Sequence, residues 1–86
     1  MALSSRWTRV QGALQAEIVL AGFADVRMLV QELMALAERL DHHPEDSFGY
    51  RRVSVSWTTH DAGGVTALDE QAAAETDRLF ARFGAD

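Results

Sequence analysis

Around Ala21-Gly22 the hydrophobic period of this chain changes from two to 3.6, and that change constrains its fold more than any other feature. Before it, Leu14, Ala16, Ile18 and Leu20 alternate with Gln15, Glu17 and Val19, the pattern of a half-buried strand. After it, Phe23, Val26, Leu29, Val30, Leu33, Leu36, Ala37 and Leu40 recur three and four apart, which gives a helix one apolar stripe. A one-sided strand that runs straight into a one-sided helix must bury both faces against a shared core.

The rest of the chain supplies the partners. Trp7 to Val10 suits a short strand, spanning about Arg6–Gln11, and Gly12 gives a turn position, so the first two strands are expected to form a hairpin. The helix is expected from about Ala24 to Asp41, because Pro44 disfavours helical geometry at His43. Glu45 to Gly49 reads as a loop. Tyr50 to Thr59 is the clearest strand, with Val53, Val55 and Trp57 alternating against Arg52, Ser54, Ser56 and Thr58. Asp61-Ala62-Gly63-Gly64 predicts a tight turn, and Val65 a short extended piece. Thr66 then stands as a helix N-cap with Asp69 answering it, and the final helix carries Leu68, Ala72, Thr76, Leu79, Phe80 and Phe83 on one face until Gly84. The expected fold is one α+β domain over residues 1–86, with helices covering one face of an antiparallel sheet.

Composition removes several functions. Eight basic residues against thirteen acidic ones give a net charge of −5, and lysine is absent, so the clustered cations that grip a phosphate backbone are missing. With no cysteine there is no disulfide, thiolate nucleophile or zinc ribbon. Met1 to Trp7 has no apolar core of signal length and no segment approaches a membrane span, so a soluble cytoplasmic protein is expected. A chain of 86 residues leaves much surface exposed, which makes oligomerisation a plausible source of further burial.

The reactive side chains gather in one stretch. All three histidines lie within His42-His43-Pro44 and at His60, with Glu38 four residues before His42 and Asp69 beyond. Imidazole moves protons near neutral pH more readily than other side chains, so this grouping points to acid–base chemistry on a small molecule. Glu38 and His42 share a helix face by their spacing, and a carboxylate there could orient the imidazole. Each residue also has a plainer explanation. Glu38–His42 could be a surface pair, His42-His43-Pro44 a polar stop after the helix, His60 a solvent-facing loop residue, and Asp69 a helix cap alone. Phe23, Phe48, Tyr50 and Trp57 read as core or rim packing. A zinc site is disfavoured because the adjacent His42 and His43 side chains should diverge, so no metal is expected.

Taken together, Glu38, His42-His43-Pro44, Tyr50, His60 and Asp69 resemble the signature of the pterin-4a-carbinolamine dehydratase family, also described as dimerisation cofactors of a homeodomain transcription factor. The segments Ala37–Glu45 and Thr59–Thr66 carry most of the likeness, which extends over about Trp7 to Phe80. The resemblance implies a four-stranded antiparallel sheet with helices on one side, and assembly into dimers or tetramers. It implies dehydration of a 4a-hydroxytetrahydropterin to quinonoid dihydropterin, recycling the pterin of aromatic amino acid hydroxylases with no metal or redox cofactor. On this basis His42 and His60 would be proton donor and acceptor, and His43 would mainly position the pterin. Glu38, Pro44 and Asp69 would bind substrate or orient the imidazoles. An assembly factor or transcriptional coregulator on the same scaffold is the alternative, with a protein partner in place of the pterin. Two departures stand out. The family usually carries a helix ahead of the first strand, where only Met1–Ser5 stand here, and many members have Trp where this chain has Asp46.

Overall fold

A computed structural model describes residues 3–84. Its elements follow in the order β1 (Thr8–Val10), β2 (Ala13–Val19), α1 (Phe23–Leu40), β3 (Glu45–Phe48), β4 (Arg52–Trp57), a 3₁₀ turn (His60–Ala62) and α2 (Ala67–Arg82). The four strands form one antiparallel sheet in the order β1-β2-β4-β3. No helix precedes β1 among the described residues. Nor, among them, is any helix long and apolar enough to cross a membrane.

The two periods seen in the sequence set the layers. On β2 and β4 the side chains of Leu14, Ala16, Ile18, Val53, Val55 and Trp57 are buried on one face, where both helices pack. Helix α1 contributes Val26, Leu29, Leu33 and Leu36, while α2 contributes Ala72, Ala73 and Phe80. The opposite face is mainly polar, although it carries the exposed Val19. Thr8, Gln15, Ser56 and Glu45 stand in register across all four strands, and Glu17 beside them accepts a hydrogen bond from Ser54.

The β1–β2 hairpin closes through Gln11 and Gly12, at φ values of 50° and 80°. Two successive positive φ values give a turn whose twist matches the strands, and glycine at the second position adopts it without strain. Ahead of the hairpin, Ser4 and Trp7 fasten the first segment to α2. The Ser4 backbone N–H, its hydroxyl and the Trp7 indole N–H all donate to Asp77, at 3.0, 2.9 and 2.8 Å.

The fourth strand is Glu45–Phe48, which the sequence suggests is a loop, and not the neighbourhood of Val65. Each residue of β3 is exposed, so there is no apolar alternation to read; the strand exists because its backbone completes the ladder along the edge of β4. Near Val65 only a single bridge forms, between Thr59 and Gly64. The predicted long strand is also shorter, Arg52–Trp57, because the backbone turns into the 3₁₀ segment at His60.

Candidate active site

The site forms where three chain turns meet: the end of α1, the exit from β4 and the start of α2. Helix α1 stops because Asp41 takes a left-handed conformation, at φ 50°, and its N–H caps the carbonyls of Ala37 and Glu38. That reversal lifts His42 off the helical path, so it does not continue the face that carries Glu38. The expected Glu38–His42 pairing therefore gives way to another. His42 Nε2 lies 2.6 Å from Asp69 Oδ1, on the first turn of α2.

Asp69 has no contact with solvent and is hydrogen-bonded on both oxygens. While Oδ1 meets His42, Oδ2 accepts from the Thr59 hydroxyl at 2.6 Å and the Thr66 backbone N–H at 2.9 Å. The Thr66 hydroxyl stands 3.3 Å from the same oxygen. Burial pushes this carboxyl up, but the hydrogen bonds from Thr59, His42 and Thr66 outweigh it and hold Asp69 below its ordinary value. The capping box read between Thr66 and Asp69 is present, so one residue caps α2 and anchors an imidazole.

Trp57 supplies the floor. The His42 ring stacks on its indole with centroids 5.5 Å apart and planes 22° from parallel. The indole is buried, and its N–H donates to Thr76 at 3.1 Å, which fixes the plane of that floor.

A cleft of about 280 Å³ opens above these groups, lined by Asp41, His42, His43, Thr58, Thr59, His60 and Asp61. It is at the small end of the range for small-molecule sites. All three histidines therefore line one opening, with His42 half-buried and His43 and His60 exposed. Glu38 stands exposed one turn back along α1, and Pro44 sits half-buried at the entry to β3; neither is part of this lining. Among the described residues, no three His, Asp or Glu side chains converge as a metal-holding group.

Three contributors have no site signature of their own in the sequence: Thr59, Thr66 as a hydroxyl donor, and Trp57 as a stacking partner. The signal was present in part. Thr59 directly precedes His60, and Thr66 has the pattern of a cap, but only the fold brings the end of β4 against α2. Three other aromatic side chains form a separate group. Phe23, Phe48 and Tyr50 are exposed, and Phe23 stands between the other two at ring separations of 6.2 and 6.4 Å.

Comparisons with known proteins bear on the family and the fold. A family model described as pterin 4 alpha carbinolamine dehydratase matches residues 1–79. A protein of Solibacter usitatus that carries a provisional pterin-4-alpha-carbinolamine dehydratase name is 43% identical over 77 residues, covering 90% of this chain and 81% of its own. A similarly named protein of Picosynechococcus is 37% identical, covering 85% and 79%. Among solved structures, a transcriptional coactivator/pterin dehydratase from Brucella melitensis superposes with a TM-score of 0.84 at 31% identity, over 88% of this chain and 83% of that one. A pterin dehydratase-like protein described as a RuBisCO assembly factor in the alpha-carboxysome shares the fold, with a TM-score of 0.71 at 23% identity and 86% of each chain covered.

Proposed function

Because the chain belongs to the pterin-4a-carbinolamine dehydratase family, we propose that it dehydrates a 4a-hydroxytetrahydropterin to the quinonoid dihydropterin by histidine acid–base catalysis. The observation that carries this reading is the convergence of His42, His43 and His60 on one cleft, with His42 anchored by a buried carboxylate.

The reaction needs one proton delivered and one removed. An acid protonates the 4a-hydroxyl, the C4a–O bond breaks and water leaves. A base takes the proton from the neighbouring ring nitrogen, and the electron pair released there closes the quinonoid double bond. His42 and His60 stand on different chain turns around the cleft and supply these two roles, while His43 positions the pterin. General acid–base catalysis of this kind contributes roughly 10²–10⁴-fold. Asp69 orients His42, Pro44 restricts the peptide that carries His43, and Glu38 hydrogen-bonds the outer part of the ring. The working unit is the whole chain, 1–86, acting in the cytoplasm as a dimer or tetramer in the recycling of a hydroxylase's pterin.

The test is the dehydration rate of 4a-hydroxytetrahydropterin with purified protein, set against the spontaneous rate. The expected result is acceleration that survives mildly in His43→Ala and vanishes in a folded His43→Ala, His60→Ala double variant. Well-folded protein that gives no acceleration would overturn the proposal. A second reading, a protein-binding coregulator or assembly factor, draws on the exposed cluster of Phe23, Phe48 and Tyr50. It is favoured if a defined protein partner binds at that cluster and pterin does not bind.

A further inference from the structure

Behind the cleft runs a chain of hydroxyl hydrogen bonds that the reaction above leaves without a role. Thr59, two residues past β4, lies with its hydroxyl 2.9 Å from that of Thr66, the N-cap of α2. The same Thr59 oxygen is 2.6 Å from Asp69 Oδ2, whose partner oxygen Oδ1 is 2.6 Å from His42 Nε2.

Counting protons fixes the direction of each bond. An ionised carboxylate only accepts, and each threonine hydroxyl has one proton to give. Thr59 must therefore donate to Oδ2, and it accepts the proton of Thr66. The longer 3.3 Å separation of the Thr66 hydroxyl from Oδ2 agrees with its proton being directed to Thr59. At the far end Oδ1 has no proton to offer, so His42 Nε2 must carry one. In the neutral ring that leaves Nδ1 as the nitrogen with a lone pair.

We propose that Thr59 is a positioning residue, whose hydroxyl, oriented by Thr66, locks the Asp69 carboxylate and through it holds His42 in the Nε2–H tautomer with Nδ1 ready to take a proton. A purely architectural use of the hydroxyl is poorly motivated, because the backbone already secures this turn. Thr59 N–H donates to Gly64 at 3.1 Å, Gly64 N–H returns to Thr59 at 3.3 Å, and Ala62 N–H donates to Thr59 at 3.1 Å. The hydroxyl adds nothing the turn lacks, whereas Asp69 would lose its shortest Oδ2 partner without it. The role in catalysis rests on the dehydratase reading; the tautomer lock does not.

The experiment compares Thr59→Val, which keeps the shape and removes the hydroxyl, with Thr59→Ser, which keeps the hydroxyl. Two readouts are taken on each folded variant: dehydration kinetics, and long-range ¹H–¹⁵N correlation spectra of the His42 ring. In Thr59→Val, kcat is expected to fall about tenfold, the scale of one hydrogen bond to a charged group, with KM changed less than about twofold. Its His42 nitrogens should lose the fixed Nε2–H pattern, and Thr59→Ser should restore both. Retention of the wild-type nitrogen pattern and kcat in Thr59→Val would overturn the proposal. If the wild-type protein does not dehydrate pterin at all, the functional reading falls, and the spectra alone then decide: a lost pattern in Thr59→Val supports the lock and a kept one overturns it.

Discussion

A carboxylate sealed from water has to have its charge answered by neighbours, as that of Asp69 is, while Asp46 on the exposed edge strand shifts the other way. Asp69 is answered on both oxygens, and its proton is released more readily in the fold than in the open chain. Its stabilising contribution is therefore complete above the ordinary value of 3.8 and drains away as the pH falls through the lower folded value. Urea unfolding at stepped pH should show this acid loss in the wild type and a shallower one in Asp69→Asn. Asp46 is the reverse case. Desolvation by the surrounding sheet, with the Glu45 carboxylate beside it, raises its carboxyl to about 6. The folded chain then holds a proton that the unfolded chain has released, so stability falls as the pH rises from 3.8 to about 6 and stays level above. Asp46→Asn should remove that decline and be the more stable protein at pH 7. Equal pH slopes for the two proteins between 4 and 6 would show that Asp46 does not carry the strain.

At the scale of elements, turns and helices were legible where a residue type had a local reason to be where it is. Gly12 is such a case: at φ 80° a side chain is strained although the nearest atoms, on Gly63 and Gly64, are 3.7 Å from the added carbon. Gly12→Ala should cost about 1 kcal/mol in denaturant unfolding, from backbone conformation and not from collision. Helix α1 was visible from its apolar stripe to within a residue at each end, since Val26, Leu29, Leu33 and Leu36 all face the core. Strand β3 was invisible for the opposite reason. Glu45-Asp46-Ser47-Phe48 owes its conformation to hydrogen bonds with β4, a partner that its own composition does not name. The site was legible in the same uneven way. Spacing along the chain brought the histidines into view, and the cap at Thr66 revealed Asp69. Spacing misassigned the partner of His42 to Glu38, because the left-handed turn at Asp41 leaves no trace in a periodic pattern. Thr59 needed the packing of α2 against the exit of β4 before it had any role.

For the whole molecule, a sheet covered on one side leaves apolar side chains with no cover of their own. Val19 is 66% exposed, Met34 61% and Tyr50 73%, on different parts of the surface. If copies of the chain associate as proposed, the folded state gains burial that the unfolded chain does not share. The melting temperature should then rise with protein concentration, and a concentration-independent value would mean that these groups stay in water. A further consequence follows from the way Ser4 and Trp7 grip Asp77, contacts that span 73 and 70 positions of sequence. During synthesis the first segment emerges long before its anchor, and Asp69, which holds His42, also belongs to that last helix. The sheet and α1 can gather as the chain grows, but neither the opening residues nor the imidazole has its destination until α2 has left the ribosome. If the cleft is the proposed catalytic site, competence arrives abruptly and at the end, and nascent protein halted before Asp69 lacks the carboxylate that holds His42, however much of the fold it has already built.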